Sequence, residues 1–401
     1  MRGICLYLHI HQPWRFRAYS IFDVAVSNNY FFDPNYNSKQ SNERIFRKVA
    51  DKSYLPMFDL LEKNLKKHKD FKFSLSVTGV WLEQAQLWMP ELITRLQNMV
   101  KTGRVELVAE TYYHSMAFFY SREEFEDQVG KQVEIFKRLF DYTPTVFRNT
   151  ELSYNDAIGA AVEKLGFKAC LCEGWDKVLG WRSPNYVYHA IGTKKLKLLL
   201  KNYRLSDDIA FRFSDKSWKD WPLTVDRYEA WLEESCIDGE TVNLFMDFET
   251  FGEHQWRETG IFDFMNHLID SWLSKEDHKF LTVSDRAEEK PVGDISYPWT
   301  VTWADTERDL SAWMGNKLQD ESMSALYAMR DKILETARIR KDEQMLEDFR
   351  RLTTSDHAYY MCTKYWNDGD VHAYFSAYDS PYDAFMYFLN ILRSLEYKLD
   401  I

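Results

Sequence analysis

Apolar runs of strand length recur along the chain, and each gives way to polar or charged side chains. The first is Ile4-Cys5-Leu6-Tyr7-Leu8-His9-Ile10-His11; the last is Asn243-Leu244-Phe245-Met246-Asp247, which continues into Phe248-Glu249-Thr250-Phe251-Gly252-Glu253-His254. Runs of this kind read as buried strands over 3–10, 72–78, 104–109, 145–149, 168–172, 196–200 and 241–247. Between them lie segments of helical period. One opens at Ser121, with Glu124 at capping-box spacing, and runs to about residue 139; others cover 219–234 and 260–274. Strands alternating with helices imply parallel pairing, and seven strands with polar side chains at their ends favour an incomplete barrel. Beyond about residue 310 the strand signal fades. Residues 320–349 and 381–399 are helical in period, the second opened by Ser380 as cap and Pro381 at the first helical position. The expected organisation is an α/β unit over 1–305 and a helical bundle over 306–401 that closes one wall of a cleft.

A chain of 401 residues has room for one barrel-sized domain and an appendage. Its net charge of −11 comes from 62 acidic and 51 basic residues spread along the sequence, so no basic field exists to gather nucleic acid. The five cysteines (Cys5, Cys170, Cys172, Cys236, Cys362) lie mostly in apolar surroundings and read as reduced core thiols of a cytoplasmic protein, Cys170-x-Cys172 included. The first apolar run is too short for a signal sequence, and no run reaches the roughly 20 apolar residues that cross a bilayer. No membrane partner is expected. The 14 Trp, 24 Tyr and 27 Phe are read mainly as core, with some in loops after strands where a ring could stack on a flat ligand face.

Acids delivered to a rim by buried strands suggest a cleft that works by carboxylate chemistry. Glu151 follows the fourth strand and Asp247 ends the seventh. Glycoside hydrolysis needs such a pair, one group to attack or activate water and one to protonate the leaving oxygen, with pKa values set apart by their surroundings. Glu83, Glu110, Glu249 and Glu253 are further acids near strand ends; the last three read equally as ion-pair partners of arginines such as Arg148. His9 and His11 are two apart on the first strand and share a face. With His114, Asp247 or His254 they could complete a zinc site, or they could hydrogen-bond sugar hydroxyls or a carboxylate. The sequence contains no H-E-x-x-H, G-x-S-x-G, P-loop or G-x-G-x-x-G, so zincin, serine hydrolase and nucleotide-binding readings lack their usual support. No metal or other cofactor is expected.

Five blocks, in order, resemble glycoside hydrolase family 57: His9-Ile10-His11-Gln12-Pro13, Gly79-Val80-Trp81-Leu82-Glu83-Gln84, Phe147-Arg148-Asn149-Thr150-Glu151-Leu152, Met246-Asp247-Phe248-Glu249-Thr250-Phe251-Gly252, and the stretch from Thr302-Trp303-Ala304-Asp305 to Asn316. The resemblance implies an incomplete (β/α)7 barrel followed by a helical bundle, and retaining chemistry on α-1,4-glucans or maltooligosaccharides. It places the nucleophile on Glu151 and the general acid/base on Asp247, protonated at rest, with carboxyl groups about 5 Å apart. His9, His11 and Glu83 would line the subsite for the reacting sugar, joined by Trp303 and Asp305. Asp356, in the segment Thr354-Ser355-Asp356-His357, would contribute from the bundle. Chain length and the form of the fifth block resemble the α-amylase branch. The alternatives are a 4-α-glucanotransferase of the same family, a metal-dependent polysaccharide deacetylase or mannosidase-like hydrolase, and a non-catalytic glucan-binding homologue.

Overall fold

A computed structural model describes residues 2–364 and 376–400. Its strands are β1 (Arg2–Ile10), β2 (Phe73–Val77), β3 (Val105–Leu107), β4 (Val146–Arg148), β5 (Ala169–Glu173), β6 (Val187–Ala190), β7 (Lys197–Lys201), β8 (Thr241–Asp247), β9 (His278–Leu281) and β10 (Asp294–Ile295). One sheet has the order β3-β2-β1-β8, and β9 shares an edge of β1 with β2; the other has the order β10-β6-β7-β5-β4. Every pairing is parallel except that of β6 with β7.

Backbone bonds join the two sheets. On one side Ala109 N–H donates to Val146 C=O at 3.0 Å and Arg148 N–H to Ala109 C=O at 2.8 Å; on the other, Asn202 N–H donates to Asn243 C=O at 2.9 Å. Strands β1, β2, β3, β4, β5, β7 and β8 thereby curl into an incomplete barrel, and they are the seven read from the sequence. The short strands β6, β9 and β10 were not.

The alternation of each strand builds the site. On β1, Ile4, Leu6, Leu8 and Ile10 pack outward into the core shared with the helices. Cys5 and Tyr7 face the lumen, where they meet Val108, Val146, Ala169, Leu171, Leu199 and Phe245 in a separate apolar plug. Two positions further along the same strands the side chain is ionisable: His9 after Tyr7, Glu110 after Val108, Arg148 after Val146, Glu173 after Leu171, Lys201 after Leu199 and Asp247 after Phe245. A layer of charge therefore lies on a layer of hydrocarbon. Parallel register fixes its order, pairing His9 with Asp247 across β1 and β8.

After β10 come helices over Ser311–Met314, Lys317–Ala328, Arg330–Arg340, Glu343–Leu352, Ser355–Tyr359 and Pro381–Asp400. The single helical stretch expected over 320–349 is three helices, broken at Met329 and at Lys341, which takes a left-handed conformation with φ 55°. Ser380 caps the last helix through a bond from Asp383 N–H at 3.1 Å. Ser121 also caps its helix, accepting from Glu124 N–H at 3.2 Å, but the expected capping box is absent. The Ser121 N–H is already donated to Ala117 C=O, and the buried Glu124 carboxylate instead accepts from Arg350 at 2.9 Å and Arg330 at 3.2 Å. Glu124 thus ties the bundle to the barrel. All five cysteines are buried, with Cys170 and Cys172 in the outward-facing core of β5.

Phe245→Ala would open a void in the lumen plug beneath Asp247, and it should cost about 3–5 kcal/mol of stability in urea unfolding. A cost under about 1 kcal/mol would show that the plug does not support the layer above it.

Candidate active site

The ionisable layer floors a cavity of about 1130 Å³ lined by His9, His11, His114, Glu151, Asp247, Trp303, Asp305 and Asp356, among others. At the centre of that layer is Glu110, fully buried three residues beyond β3. Its Oε2 lies 2.9 Å from His114 Nδ1, 3.3 Å from His9 Nε2 and 3.4 Å from Arg148 Nη1. The far nitrogens of the two rings reach the two carboxylates singled out in the sequence. His9 Nδ1 is 3.2 Å from Asp247 Oδ1, and His114 Nε2 is 3.0 Å from Glu151 Oε1. Trp303 donates its indole N–H to Glu151 Oε2 at 2.9 Å, and Ser355 Oγ lies 3.4 Å from Oε1. The expected pair therefore sits in one cleft, joined through His9, Glu110 and His114.

Burial alone would push the Glu151 carboxyl up, but the bond and charge of His114, with Arg148 and the Trp303 N–H, hold it below its ordinary value. Asp247 follows the same balance: burial raises it, and the bond and charge of His9, then His254 and Arg148, bring it below the usual aspartate value. These neighbours favour the ionised form of Asp247, whereas the sequence led to the expectation of a proton on it at rest. Burial disfavours charge on His114, yet Glu110 and Glu151 raise it to about 9. His11 is the reverse case. Burial and the charge of His114 outweigh Asp356 and bring it down to about 4, so its neutral ring donates Nε2–H to Asp356 at 2.9 Å and accepts from Thr78 Oγ1 at 3.0 Å.

The other acids separate. Glu249 accepts from the Tyr54 hydroxyl at 2.6 Å, and burial, with the charge of Asp247, lifts it to about 8. Glu253 pairs with Lys48 at 2.8 Å and Lys52 at 3.5 Å, lysines in place of the expected arginine, whereas Glu110 does meet Arg148. Glu83 lies outside the cavity wall. Its carboxylate accepts from Trp14 Nε1 and Arg351, both at 2.8 Å, and from Tyr112 at 3.1 Å, bracing barrel against bundle. Asp305 faces the cavity 3.7 Å from Lys364.

Sequence reasoning treated His114 only as a possible zinc ligand and Glu110 only as an acid or ion-pair partner. The alternation Val108-x-Glu110 was a signal for the lumen position of Glu110; no local pattern brings His114 back over the barrel mouth. His114 (φ 52°), Glu151 (φ 59°) and Asp305 (φ 56°) all have left-handed backbone, which costs a non-glycine residue about 1–2 kcal/mol and collects at functional sites.

Among the described residues, two groups have potential ligand atoms within 4.8 Å of one another: His9, Glu110 and His114, and His11, His114 and Asp356. In the first, Arg148 Nη1 lies 3.5 Å from His9 Nε2 and 3.4 Å from both Glu110 Oε2 and His114 Nδ1, so a permanent positive charge already stands where a cation would bind. In the second, His114 Nε2 is directed at Glu151.

A parallel barrel whose mouth gathers carboxylates and imidazoles around one cavity is the arrangement of the active-site face of an α/β-barrel enzyme. The chain belongs to glycosyl hydrolase family 57, whose model matches residues 5–298. A protein of Methanocaldococcus jannaschii named "Putative alpha-amylase" is 40% identical over 398 residues, covering 97% of this chain and 83% of that one. Solved structures share the fold, among them the following two. The alpha-amylase AmyC from Thermotoga maritima has a TM-score of 0.64 at 14% identity, covering 100% of this chain and 97% of its own. The 4-alpha-glucanotransferase from Thermococcus litoralis has a TM-score of 0.64 at 15% identity, covering 89% of this chain but only 56% of its own. No helix among the described residues is long and apolar enough to cross a membrane.

Trp303→Phe removes the N–H that Glu151 Oε2 accepts. Carboxyl carbon NMR should then find Glu151 titrating higher, by roughly 0.5–1 pH unit. An unmoved or lower titration would mean that the indole does not tune this carboxylate.

Proposed function

We propose that this protein is a retaining glycoside hydrolase of α-1,4-glucans, α-amylase-like in action, with Glu151 as nucleophile and Asp247 as general acid/base. The observation that carries the proposal is the placement of these two carboxylates in one cavity, joined through His9, Glu110 and His114. Glu151 is suited to attack, since its lowered pKa keeps it charged at neutral pH. Asp247 is the more open of the two, with 38% of its side chain exposed against 18% for Glu151, and a sugar covering it would strip water from its charge and favour the protonated acid.

In the first half-reaction Glu151 bonds the anomeric carbon as Asp247 protonates the departing oxygen. In the second, Asp247 takes a proton from water, whose oxygen displaces Glu151. Trp303 and His11 line the cavity around the reacting sugar, and Asp305 and Asp356 add acceptors for its hydroxyls. Glu83, in this reading, supports the subsite from behind, through Trp14 and Arg351. The names of the M. jannaschii and T. maritima relatives support glucan as substrate.

Incubation with maltooligosaccharides, followed by sizing of all products, should give shorter chains. Glu151→Gln and Asp247→Asn should each lower the rate by about a thousandfold or more while the fold is retained. Chains longer than the starting material would replace hydrolysis by glucanotransfer. Binding without conversion would identify a non-catalytic homologue.

Prolonged chelation should leave turnover unchanged. Activity lost to the chelator and restored by zinc would favour the metal-dependent hydrolase reading instead.

A further inference from the structure

Glu110 serves neither as nucleophile nor as acid in that reaction, yet it contacts both rings that hold the two reacting carboxylates. Each ring lies between carboxylates: His114 between Glu110 at 2.9 Å and Glu151 at 3.0 Å, His9 between Glu110 Oε2 at 3.3 Å and Asp247 at 3.2 Å. A neutral imidazole can donate from one nitrogen only and would turn a lone pair on the second carboxylate; the imidazolium donates from both. For His9 Nε2 the nearer neighbour is the Glu110 oxygen, not Arg148 Nη1 at 3.5 Å. With both rings charged, three cations (His9, His114, Arg148) face three carboxylates (Glu110, Glu151, Asp247), which offsets the burial of His9, His114, Arg148 and Glu110.

Resting on the assignment of Glu151 and Asp247 above, we propose that Glu110 is a positioning residue that keeps His9 and His114 doubly protonated, and that the proton on His9 Nδ1 is the one Asp247 delivers. When sugar covers Asp247, the Nδ1–H bond breaks and an O–H bond forms on Asp247, leaving His9 neutral with its remaining hydrogen on Nε2 toward Glu110. That O–H bond then breaks as the glycosidic oxygen is protonated; the C–O bond electrons leave with this oxygen, and Glu151 bonds carbon. In the return step a water proton passes to Asp247 and back to His9 Nδ1, while the water oxygen takes the carbon from Glu151. His114 stays charged throughout and steadies the Glu151 anion.

Other ionisable groups face this layer. Tyr7 lies below Glu110 and Arg148, His254 and Glu249 act on Asp247, and the ring of His11, itself bonded to Asp356, lies 4.1 Å from His114. His11 is neutral and burial favours the protonated form of Glu249, and neither touches Glu110, so removing the Glu110 charge should act mainly on the two rings. Without it the second proton on each ring loses one of its two anionic partners, which moves the alkaline limb of the pH profile down and leaves the acid limb in place.

The test combines histidine-ring nitrogen NMR of the whole protein at pH 7.5 with pH profiles of kcat/KM on maltooligosaccharides. In the wild type, both nitrogens of His9 and of His114 should carry protons. Glu110→Gln should neutralise at least one ring and shift the alkaline limb down by about one pH unit or more; Glu110→Asp, which keeps the charge, should return the limb toward the wild type. A neutral His9 or His114 in the wild type overturns the proposal. So does a Glu110→Gln profile lowered equally at all pH with its limbs unmoved, the result of a merely structural role. If Glu110→Gln does not fold, the wild-type spectrum alone decides. The ring spectrum requires no turnover, so a protein inactive on maltooligosaccharides would defeat the proposed function without obscuring this result.

Discussion

The structure turns on a carboxylate, Glu110, buried without access to water on top of a hydrocarbon plug. An ionised group in that position is tolerated only if cations and hydrogen-bond donors surround it, and the barrel supplies them from three directions: His9 from β1, Arg148 from β4 and His114 from the loop that follows β3. Because every donor is fixed by a strand end or a strained turn, the far sides of the two rings are fixed as well. Asp247 and Glu151 are held there. The burial of one acid thus becomes the placement of two others.

The bundle completes what the barrel begins. Ser355 N–H donates to His114 C=O at 2.8 Å, pinning the loop that carries the second ring, and the next residue, Asp356, orients His11. Trp303 arrives from the segment after β10 and receives Arg148 on its ring face, the guanidinium carbon 5.0 Å from the ring centre, while its N–H holds Glu151. Gly252 allows the loop after Asp247 to turn back against the chain, since a side chain there would sit 1.9 Å from the carbonyl oxygen of Lys52. Barrel, bundle and both connecting loops thus meet on the same few side chains, and distant substitutions such as those at Glu124 or Arg351 can act on the cleft through packing.

Much of this was legible in the sequence because strand burial leaves a strong local pattern. The apolar runs that became β1, β2, β3, β4, β5, β7 and β8 stand out, and acids at their ends announce a functional rim. Glu151 and Asp247 emerged from that pattern together with the family motifs. What stayed hidden is non-local. The bond from His114 to Glu151, the charge state of Asp247 and the removal of Glu83 from the cavity wall depend on residues far apart in the chain, such as Arg351, 268 positions from Glu83. The capping box failed for a similar reason, since arginines of two later helices, Arg330 and Arg350, offered Glu124 a stronger partner than one backbone N–H. The pKa of a strand-end acid is set by neighbours whose identity periodicity does not reveal.

The central claim is that Glu151 attacks carbon while Asp247 handles the proton. The most direct test is to trap the wild-type protein with an activated fluorinated α-glucosyl or maltosyl donor, which slows the second half-reaction, and to digest and weigh the labelled peptides. The account predicts one sugar bonded to the peptide that contains Glu151, with no label in Glu151→Gln. A sugar on Asp247 or Glu249, or turnover of natural substrate with no covalent species under any trapping condition, would contradict it.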